Sequence, residues 1–162
     1  PTVFRYVDWI ITVPLQMIEF YLILAACTAI AGGVFWRLFV GSLVMLIGGY
    51  LGEAGFINAT LGFVIGMAGW IFILYEIFAG EASKVNAAEA PDSVKTAYNT
   101  MKWIVTIGWA IYPIGYMAGT DGWYNVLGLD GLDMNVWYNI ADAINKIGFG
   151  LVVYSLAVKK TA

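Results

Sequence analysis

The sequence has 162 residues, of which 61% are hydrophobic and only 12% are charged, with a formal net charge of −3. About 25% of an average soluble domain is charged, so this composition argues against a soluble globule, a disordered chain and a basic nucleic-acid-binding domain. The absence of histidine excludes a histidine-based metal site or catalytic triad, and the single cysteine, Cys27, excludes an internal disulfide. We therefore predict one all-helical membrane domain with neither a bound metal nor a nucleic-acid partner.

Five apolar stretches are long enough to cross a membrane, which takes about 20 residues in a helix. They cover approximately residues 2–29, 38–51, 57–79, 100–118 and 136–158. The second stretch is short, and it can be extended back to Phe35. Polar connections separate these spans. Residues 81–92, with Ser83, Asn86 and Pro91, and residues 120–133, which are rich in glycine and aspartate, are predicted to be loops.

The first residues are unusual for the start of a membrane protein. The chain begins with Pro1 rather than Met, no signal peptide precedes the first span, and Arg5 and Asp8 appear almost at once. We therefore expect the single transmembrane domain over residues 1–162 to be N-terminally truncated, with further spans upstream.

The basic residues outside the spans indicate the orientation in the membrane. Five alternating spans place all six on one side, which the positive-inside rule assigns to the cytoplasm. These residues are Arg37, Lys84, Lys95, Lys102, Lys159 and Lys160. The charged residues on the other side are the acids Glu53, Asp121, Asp130 and Asp133. The C-terminus is therefore predicted to be cytoplasmic.

Lys146 lies at the middle of the fifth span, too far from either end for its amine to reach water easily. A bare ammonium at that depth costs at least about 2.5–3.5 kcal/mol, so it must be paired, neutral or covalently modified. Asp142 precedes it by one helical turn and shares its face. A structural buried ion pair is one interpretation, and a lysine that carries a ligand is the other.

The first span adds polar residues that share one face. Arg5 and Asp8 are three residues apart, and Thr12 follows Asp8 by one turn, where its hydroxyl can reach the carboxylate. Glu19 lies within about 20° of the same face and about 16 Å further along the helix axis. With the pair in the fifth span, these groups form a column of proton-exchanging side chains across the membrane. Glu76, near a cytoplasmic helix end, is expected to be an interfacial carboxylate instead.

Aromatic residues are predicted at the depth of Lys146. They are Trp9, Trp70, Trp109, Tyr112 and Tyr116, with Pro113 among them. Pro113 should kink its helix and free a backbone carbonyl, because proline has no N–H to donate. Such a stripe is more often core packing, but flat apolar walls around a buried lysine suit a long conjugated ligand bound as a Schiff base.

Three segments carry a family resemblance: RYVDWIITVPL at residues 5–15, WAIYP at 109–113 and DAINK at 142–146. They look like the third helix, the sixth helix and the retinal-attachment segment of the microbial rhodopsins, and they are most similar to the proteorhodopsins. The resemblance extends over essentially the whole chain, including residues 41–45 and 52–55. It implies an all-α bundle in which the five spans are helices C–G of a seven-helix rhodopsin fold.

The resemblance implies a role for each member of the charged column. Lys146 would carry all-trans retinal as a protonated Schiff base. Asp8 would be the main counterion and the proton acceptor, and Asp142 would be the second counterion. Arg5 would organise the outer half of this charge cluster, to which Thr12 also belongs.

The resemblance also implies a retinal pocket formed by four of the spans. Its lining would be Trp9, Met45, Trp70, Trp109, Tyr112, Pro113 and Tyr116. Glu19 would be the cytoplasmic proton donor, neutral at rest because burial among apolar neighbours disfavours its charge. Gln16 matches a colour-tuning position at which glutamine accompanies blue absorption, since a polar group there stabilises the ground-state charge more than the excited state.

The implied function is a light-driven outward proton pump of a bacterial inner membrane, which is an ion transporter rather than an enzyme. Its partners would be the lipid bilayer, protons and other copies of the chain, in a pentamer or hexamer. A photosensory rhodopsin is the alternative within the fold, although the carboxylate of Glu19 favours fast reprotonation and hence pumping. A retinal-free membrane scaffold with a buried ion pair is the alternative of another class.

Overall fold

The computed structural model describes residues 1–120 and 133–161, and its regular elements there are all helices. The α-helices are α1 (Thr2–Ala25), α2 (Gly32–Glu53), α3 (Ala59–Phe78), α4 (Glu81–Glu89), α5 (Asp92–Ile107), α6 (Ile111–Gly119) and α7 (Met134–Thr161). A 3₁₀ turn, Gly108–Ala110, joins α5 to α6. The predicted all-α membrane class is confirmed for this part of the chain.

In the described residues, four helical segments are long and apolar enough to cross a membrane. They are Thr2–Ala25, Gly32–Glu53, Ala59–Glu89 and Met134–Lys159, and they match four of the predicted spans. The remaining predicted span, residues 100–118, crosses the junction of α5 and α6. The backbone dihedrals of Ile107 and Ile111 on either side of the 3₁₀ turn are right-handed helical, so one helical path continues through the junction.

Helices α2 and α3 pack backbone against backbone through glycines. A Cβ atom at Gly62 would lie 2.5 Å from the Cα atom of Gly52 and 2.9 Å from the carbonyl oxygen of Gly48. A Cβ atom at Gly69 would lie 2.6 Å from the backbone nitrogen of Met45. Small residues allow this close approach, and van der Waals packing of that kind drives helix association in membranes.

The segment 81–92, which was predicted to be a loop, is mostly helix α4. Glu76 at the end of α3 accepts a hydrogen bond from the N–H of Ala82 at 3.0 Å, which places a carboxylate at the N-terminus of α4. Arg37 donates to Glu76 at 2.8 Å and to Glu81 at 2.6 Å. Glu76 lies near the helix end at which it was predicted, but it is only 3% exposed and so does not reach water by snorkelling. Its charge is compensated by the guanidinium of a neighbouring helix instead.

The outer faces of the helices are apolar. Phe4, Ile107, Ile144 and Tyr154 are each more than 60% exposed, and many other large apolar side chains are also exposed. A soluble protein rarely exposes apolar area on this scale, whereas a bilayer solvates it. The chain is therefore a multi-pass membrane protein.

The contacts place the predicted acidic and basic sides at opposite ends of the helices. Arg37 and Glu76 meet where α2 begins and α3 ends, whereas Arg5 and Glu53 meet where α1 begins and α2 ends. Of the other acids predicted for the second end, Asp133 precedes α7, while Asp121 and Asp130 lie outside the described residues, as does most of the predicted loop 120–133.

Candidate functional site

A cleft runs between α1, α2, α3, α6 and α7, with about 760 Å³ of unfilled space counting its open side. All seven residues that the sequence analysis assigned to a pocket line it: Trp9, Met45, Trp70, Trp109, Tyr112, Pro113 and Tyr116. Gln16, Asp142 and Lys146 also line the cleft. The structure adds lining residues that the sequence analysis did not name, among them Tyr6, Phe63, Met67 and Tyr138.

The amine of Lys146 lies between two carboxylates. Its Nζ atom donates to an oxygen of Asp8 on α1 and, at 3.3 Å, to Oδ2 of Asp142 on its own helix. The Asp142 contact follows from the spacing of four residues, whereas the Asp8 contact joins residues 138 positions apart. Packing of α1 against α7 thus brings the predicted charged groups together.

Asp142 also accepts hydrogen bonds from two aromatic side chains. The indole Nε1 of Trp9 donates at 2.9 Å, and the hydroxyl of Tyr112 donates at 2.5 Å. The donors lie on α1 and α6, and they hold the Asp142 carboxylate of α7 beside the Lys146 amine. The sequence analysis placed both aromatic residues near Lys146 but did not identify them as donors, because the donor geometry depends on how α1 and α6 pack against α7.

Arg5 pairs with a carboxylate other than those beside Lys146. Its guanidinium donates to Glu53 at 2.6 Å and to the side-chain oxygen of Asn135 at 2.5 Å. The guanidinium carbon also lies 4.4 Å from the ring centroid of Tyr138, within the range of a cation–π contact. Glu53 and Asn135 were missed as partners because they come from α2 and from the first turn of α7.

Thr12 does not make the expected contact with the Asp8 carboxylate. Its hydroxyl donates at 3.1 Å to the backbone carbonyl of Asp8, one turn back along the same helix. This bond is the local alternative that a helical threonine always has, and here it takes the hydroxyl away from the carboxylate.

A second cavity, of about 470 Å³ counting its open side, has both Glu19 and Lys146 in its wall. The Oε2 atom of Glu19 is buried and has no hydrogen-bond partner among the described residues. Gln16 lines both this cavity and the larger cleft, and its Nε2 atom also lacks a partner within the described part of the chain. The two cavities therefore meet at Gln16 and Lys146.

The aromatic walls of the cleft are fixed by ring contacts and by the break between α5 and α6. The ring of Trp9 packs edge to face against Tyr112, with centroids 5.1 Å apart. Trp70 donates from Nε1 to the carbonyl of Val105 at 3.1 Å, just before the break. The 3₁₀ turn lies one turn before Pro113, where the missing proline N–H leaves an α-helical carbonyl without its usual donor.

The chain is similar over its whole length to a known family of membrane proteins. The profile of a family described as "Bacteriorhodopsin-like protein" matches residues 1–160. The chain is 50% identical over 165 residues to "Blue-light absorbing proteorhodopsin" of Gamma-proteobacterium Hot 75m4, covering 100% of this chain and 63% of that protein. It is also 50% identical over 164 residues to "Green-light absorbing proteorhodopsin" of Gamma-proteobacterium EBAC31A08, covering 100% of this chain and 64% of that protein. The chain thus spans less than two thirds of these relatives.

Solved structures of similar proteins have the same fold. The crystal structure of the blue light-absorbing proteorhodopsin from Med12 superposes with a TM-score of 0.76 at 50% identity, covering 99% of this chain and 68% of that one. The crystal structure of Exiguobacterium sibiricum rhodopsin gives a TM-score of 0.79 at 32% identity, covering 96% of this chain and 70% of that one.

Proposed function

Because the chain belongs to the bacteriorhodopsin-like family, and so to the microbial rhodopsins, we propose that it is a light-driven outward proton pump with all-trans retinal on Lys146. The observation that carries this proposal is the Lys146 amine, held between Asp8 and Asp142 in the wall of an aromatic cleft. The proposal makes the protein an ion transporter rather than an enzyme.

The residues of the cleft fit retinal, which is a long conjugated aldehyde. The primary amine of Lys146 can condense with an aldehyde, and the indole and phenol rings of Trp70, Trp109 and Tyr112 offer flat walls for a conjugated chain. The lining of the cleft is mostly apolar and aromatic with a few polar groups, as is usual for small-molecule sites. Bound retinal would supply visible-light absorption and an isomerisation that reorients the Lys146 nitrogen.

Asp8 is our candidate for the proton acceptor. The Asp142 carboxylate already accepts hydrogen bonds from Trp9 and Tyr112, which stabilise its charge. Among the described residues, the Asp8 carboxylate has Lys146 as its one side-chain donor, so it retains free lone pairs for a proton. A proton that leaves the Lys146 nitrogen toward Asp8 moves toward the end of the helices at which Glu53 lies.

Glu19 is our candidate for the proton donor. Arg5 and Glu19 lie on α1 at opposite sides of the depth at which Lys146 is found. Glu19 also lines a cavity together with the lysine. A buried carboxylate oxygen without a partner favours the neutral, protonated carboxyl, which is the form a donor needs. The cavity supplies room for water to carry the proton from Glu19 to the Lys146 nitrogen.

The direction of transport follows from the order of Glu19, Lys146 and Asp8 along the bundle and from the orientation of the helices in the membrane. We place the end with Arg37, Lys84, Lys95 and Lys102 in the cytoplasm by the positive-inside rule, and the C-terminus with it. Uptake then occurs on the Glu19 side and release on the Asp8 side. The two half-identical relatives named above are from gamma-proteobacteria, so we assign the protein to a bacterial inner membrane.

Gln16 supports absorption in the blue. It is buried, it lines the cleft together with Lys146, and its Nε2 atom has no hydrogen-bond partner among the described residues. A polar amide near the lysine nitrogen stabilises positive charge there, and that charge is most concentrated in the ground state. The energy gap is therefore wider than with an apolar side chain at this position.

Light-induced pH change in cells that express the gene, supplied with all-trans retinal, tests the pump. The medium should acidify on illumination, and a protonophore should abolish the signal. Alkalinisation of the medium would contradict outward transport. A normal pigment without any pH change would favour the photosensory alternative.

A further inference from the structure

Asn145 is a buried polar residue to which the proposed proton relay assigns no role. It precedes Lys146 on α7 and is 7% exposed. Its Nδ2 atom donates at 2.9 Å to the carbonyl oxygen of Gly108, in the 3₁₀ turn between α5 and α6. The same nitrogen lies 3.4 Å from the hydroxyl oxygen of Tyr112, at the outer limit of a hydrogen bond. One amide thus joins α7 to the 3₁₀ turn and to α6.

The contact with Tyr112 connects Asn145 to the charged groups. The Tyr112 hydroxyl accepts from Asn145 and donates to Asp142 at 2.5 Å, and Asp142 accepts from Lys146 at 3.3 Å. A hydroxyl that accepts a hydrogen bond becomes a better donor, so the amide strengthens the bond to Asp142. The chain of contacts runs without interruption from the Gly108 carbonyl to the Lys146 amine.

Gly108 is shaped to receive the amide. A Cβ atom at this position would lie 2.1 Å from Oδ1 of Asn145, and the three nearest atoms to that Cβ all belong to Asn145. The amide therefore occupies the space in which any other residue would place its side chain.

We infer that Asn145 is a positioning residue that couples the charge around Lys146 to the break between α5 and α6. It holds the carbonyl of Gly108 in the 3₁₀ turn and orients the Tyr112 hydroxyl toward Asp142. A change in the distance or charge of the Asp142–Lys146 pair then alters the hydrogen bonds at the 3₁₀ turn. A movement of the turn likewise alters the hydrogen bonds to Asp142. The part of this inference that concerns colour rests on the proposed function, whereas the contact with Gly108 does not.

A double-mutant cycle on the retinal-free protein tests the contact. Asn145→Ala removes the side-chain donor to the Gly108 carbonyl, and Gly108→Ala pushes the amide away, so each should raise the unfolding constant in SDS by about tenfold. In the Asn145→Ala background the clash is absent, and Gly108→Ala should then have no effect or lower the unfolding constant. Gly148→Ala is the control, because the nearest atom to its Cβ is 3.9 Å away. An equal effect of Gly108→Ala in both backgrounds would overturn the contact.

The visible spectrum with retinal tests the positioning role, which a merely structural residue would not show. Asn145→Ala and Gly108→Ala weaken the Tyr112 bond to Asp142, so the carboxylate acts more strongly on the Lys146 nitrogen. Both variants should therefore shift the absorption maximum to shorter wavelength, by similar amounts. Asn139→Ala, an exposed asparagine on the same helix, should leave the band unchanged.

The two measurements separate failure of this inference from failure of the proposed function. A wild-type pigment whose band stays in place in both variants would overturn the positioning role. A shift of the same size in Asn139→Ala would overturn it as well. If the wild-type protein formed no pigment, the proposed function would fail, and the SDS cycle would still decide whether Asn145 and Gly108 are coupled.

Discussion

Two aspartates face one amine in this protein, and their surroundings differ. Asp142 accepts hydrogen bonds from Trp9 and Tyr112 and is 18% exposed, whereas the side chain of Asp8 is 48% exposed. A carboxylate whose charge is satisfied by fixed donors is suited to remain as a counterion. A carboxylate with free lone pairs is suited to take a proton. This difference is what separates the proposed roles of the two residues.

The role of Glu19 leads to a kinetic prediction at the residue scale. Glu19→Gln keeps the shape of the side chain but removes the proton that the donor supplies. Reprotonation of the Lys146 nitrogen, followed by flash photolysis, should slow by about a hundredfold.

Glu89→Gln is the matched control for this experiment, because Glu89 is an exposed carboxylate on α4 and does not line the cavity. It should leave the rate unchanged. An unchanged rate in Glu19→Gln would remove Glu19 from the proton path.

The position of Gln16 between the two cavities leads to a spectral prediction. Gln16→Leu removes the amide that stabilises ground-state charge, so the absorption maximum should move to longer wavelength. The excitation energy should fall by about 1.5–3 kcal/mol, which is the usual net strength of a hydrogen bond to a charged group. The measurement is the visible spectrum of the purified pigment.

Leu22→Ala provides the comparison for this spectrum, since Leu22 is an exposed leucine on the same helix and lines neither of the two cavities. Its band should stay in place. A shift of Gln16→Leu to shorter wavelength would contradict the tuning argument.

What the sequence predicts at the residue scale depends on whether a contact lies within one helix. The Lys146–Asp142 contact was predicted because four residues make one turn. The contact of Trp9 with Asp142 was not predicted, because it needs the rotation of α1 against α7. Helical periodicity also does not tell which acceptor a side chain will bind. Thr12, for example, donates to the backbone carbonyl of Asp8 rather than to its carboxylate.

At the scale of elements, glycines allow the backbones of α2 and α3 to contact each other directly. Gly62→Ala would place a methyl group 2.5 Å from the Cα of Gly52, where no flexible side chain can move aside. The variant should therefore lower the free energy of unfolding by about 1–3 kcal/mol, the usual cost of overpacking. Unfolding of the membrane protein in SDS measures this change.

Gly32→Ala is the control for the glycine interface, because nothing lies within 4 Å of the added Cβ. Alanine is also the better helix former, so this variant should be neutral or slightly stabilising. Equal losses in Gly62→Ala and Gly32→Ala would mean that the α2–α3 contact is not the cause.

Helix α4 shows where sequence reasoning at this scale fails. Its composition resembles a loop, and its first turn is stabilised by Glu76 from the preceding helix rather than by a local cap. The charge of Glu76 is in turn compensated by Arg37 from α2. Neither contact can be predicted from the residues of α4 alone. The long apolar spans can be predicted from the sequence, because the thickness of the bilayer sets their length.

At the scale of the whole molecule, charge is sorted along the bundle. Arg5 and Glu53 pair at one end, Arg37 and Glu76 pair at the other, and Lys146 with its two carboxylates lies between them. The sequence predicts which end carries the basic residues outside the spans, but it does not predict the two ion pairs, because each joins residues of different helices. It predicts the shape of the cleft less well, since the lining comes from five helices whose packing angles are not encoded locally.

Formation of a pigment tests the central claim most directly. The protein, supplied with all-trans retinal, should develop a visible absorption band, and Lys102→Ala should develop it too because Lys102 does not line the cleft. Lys146→Ala should show no such band, since it removes the one amine in the cleft wall among the described residues. A band that survives in Lys146→Ala, or the absence of a band in the wild-type protein, would contradict the assignment of this lysine as the retinal-binding residue.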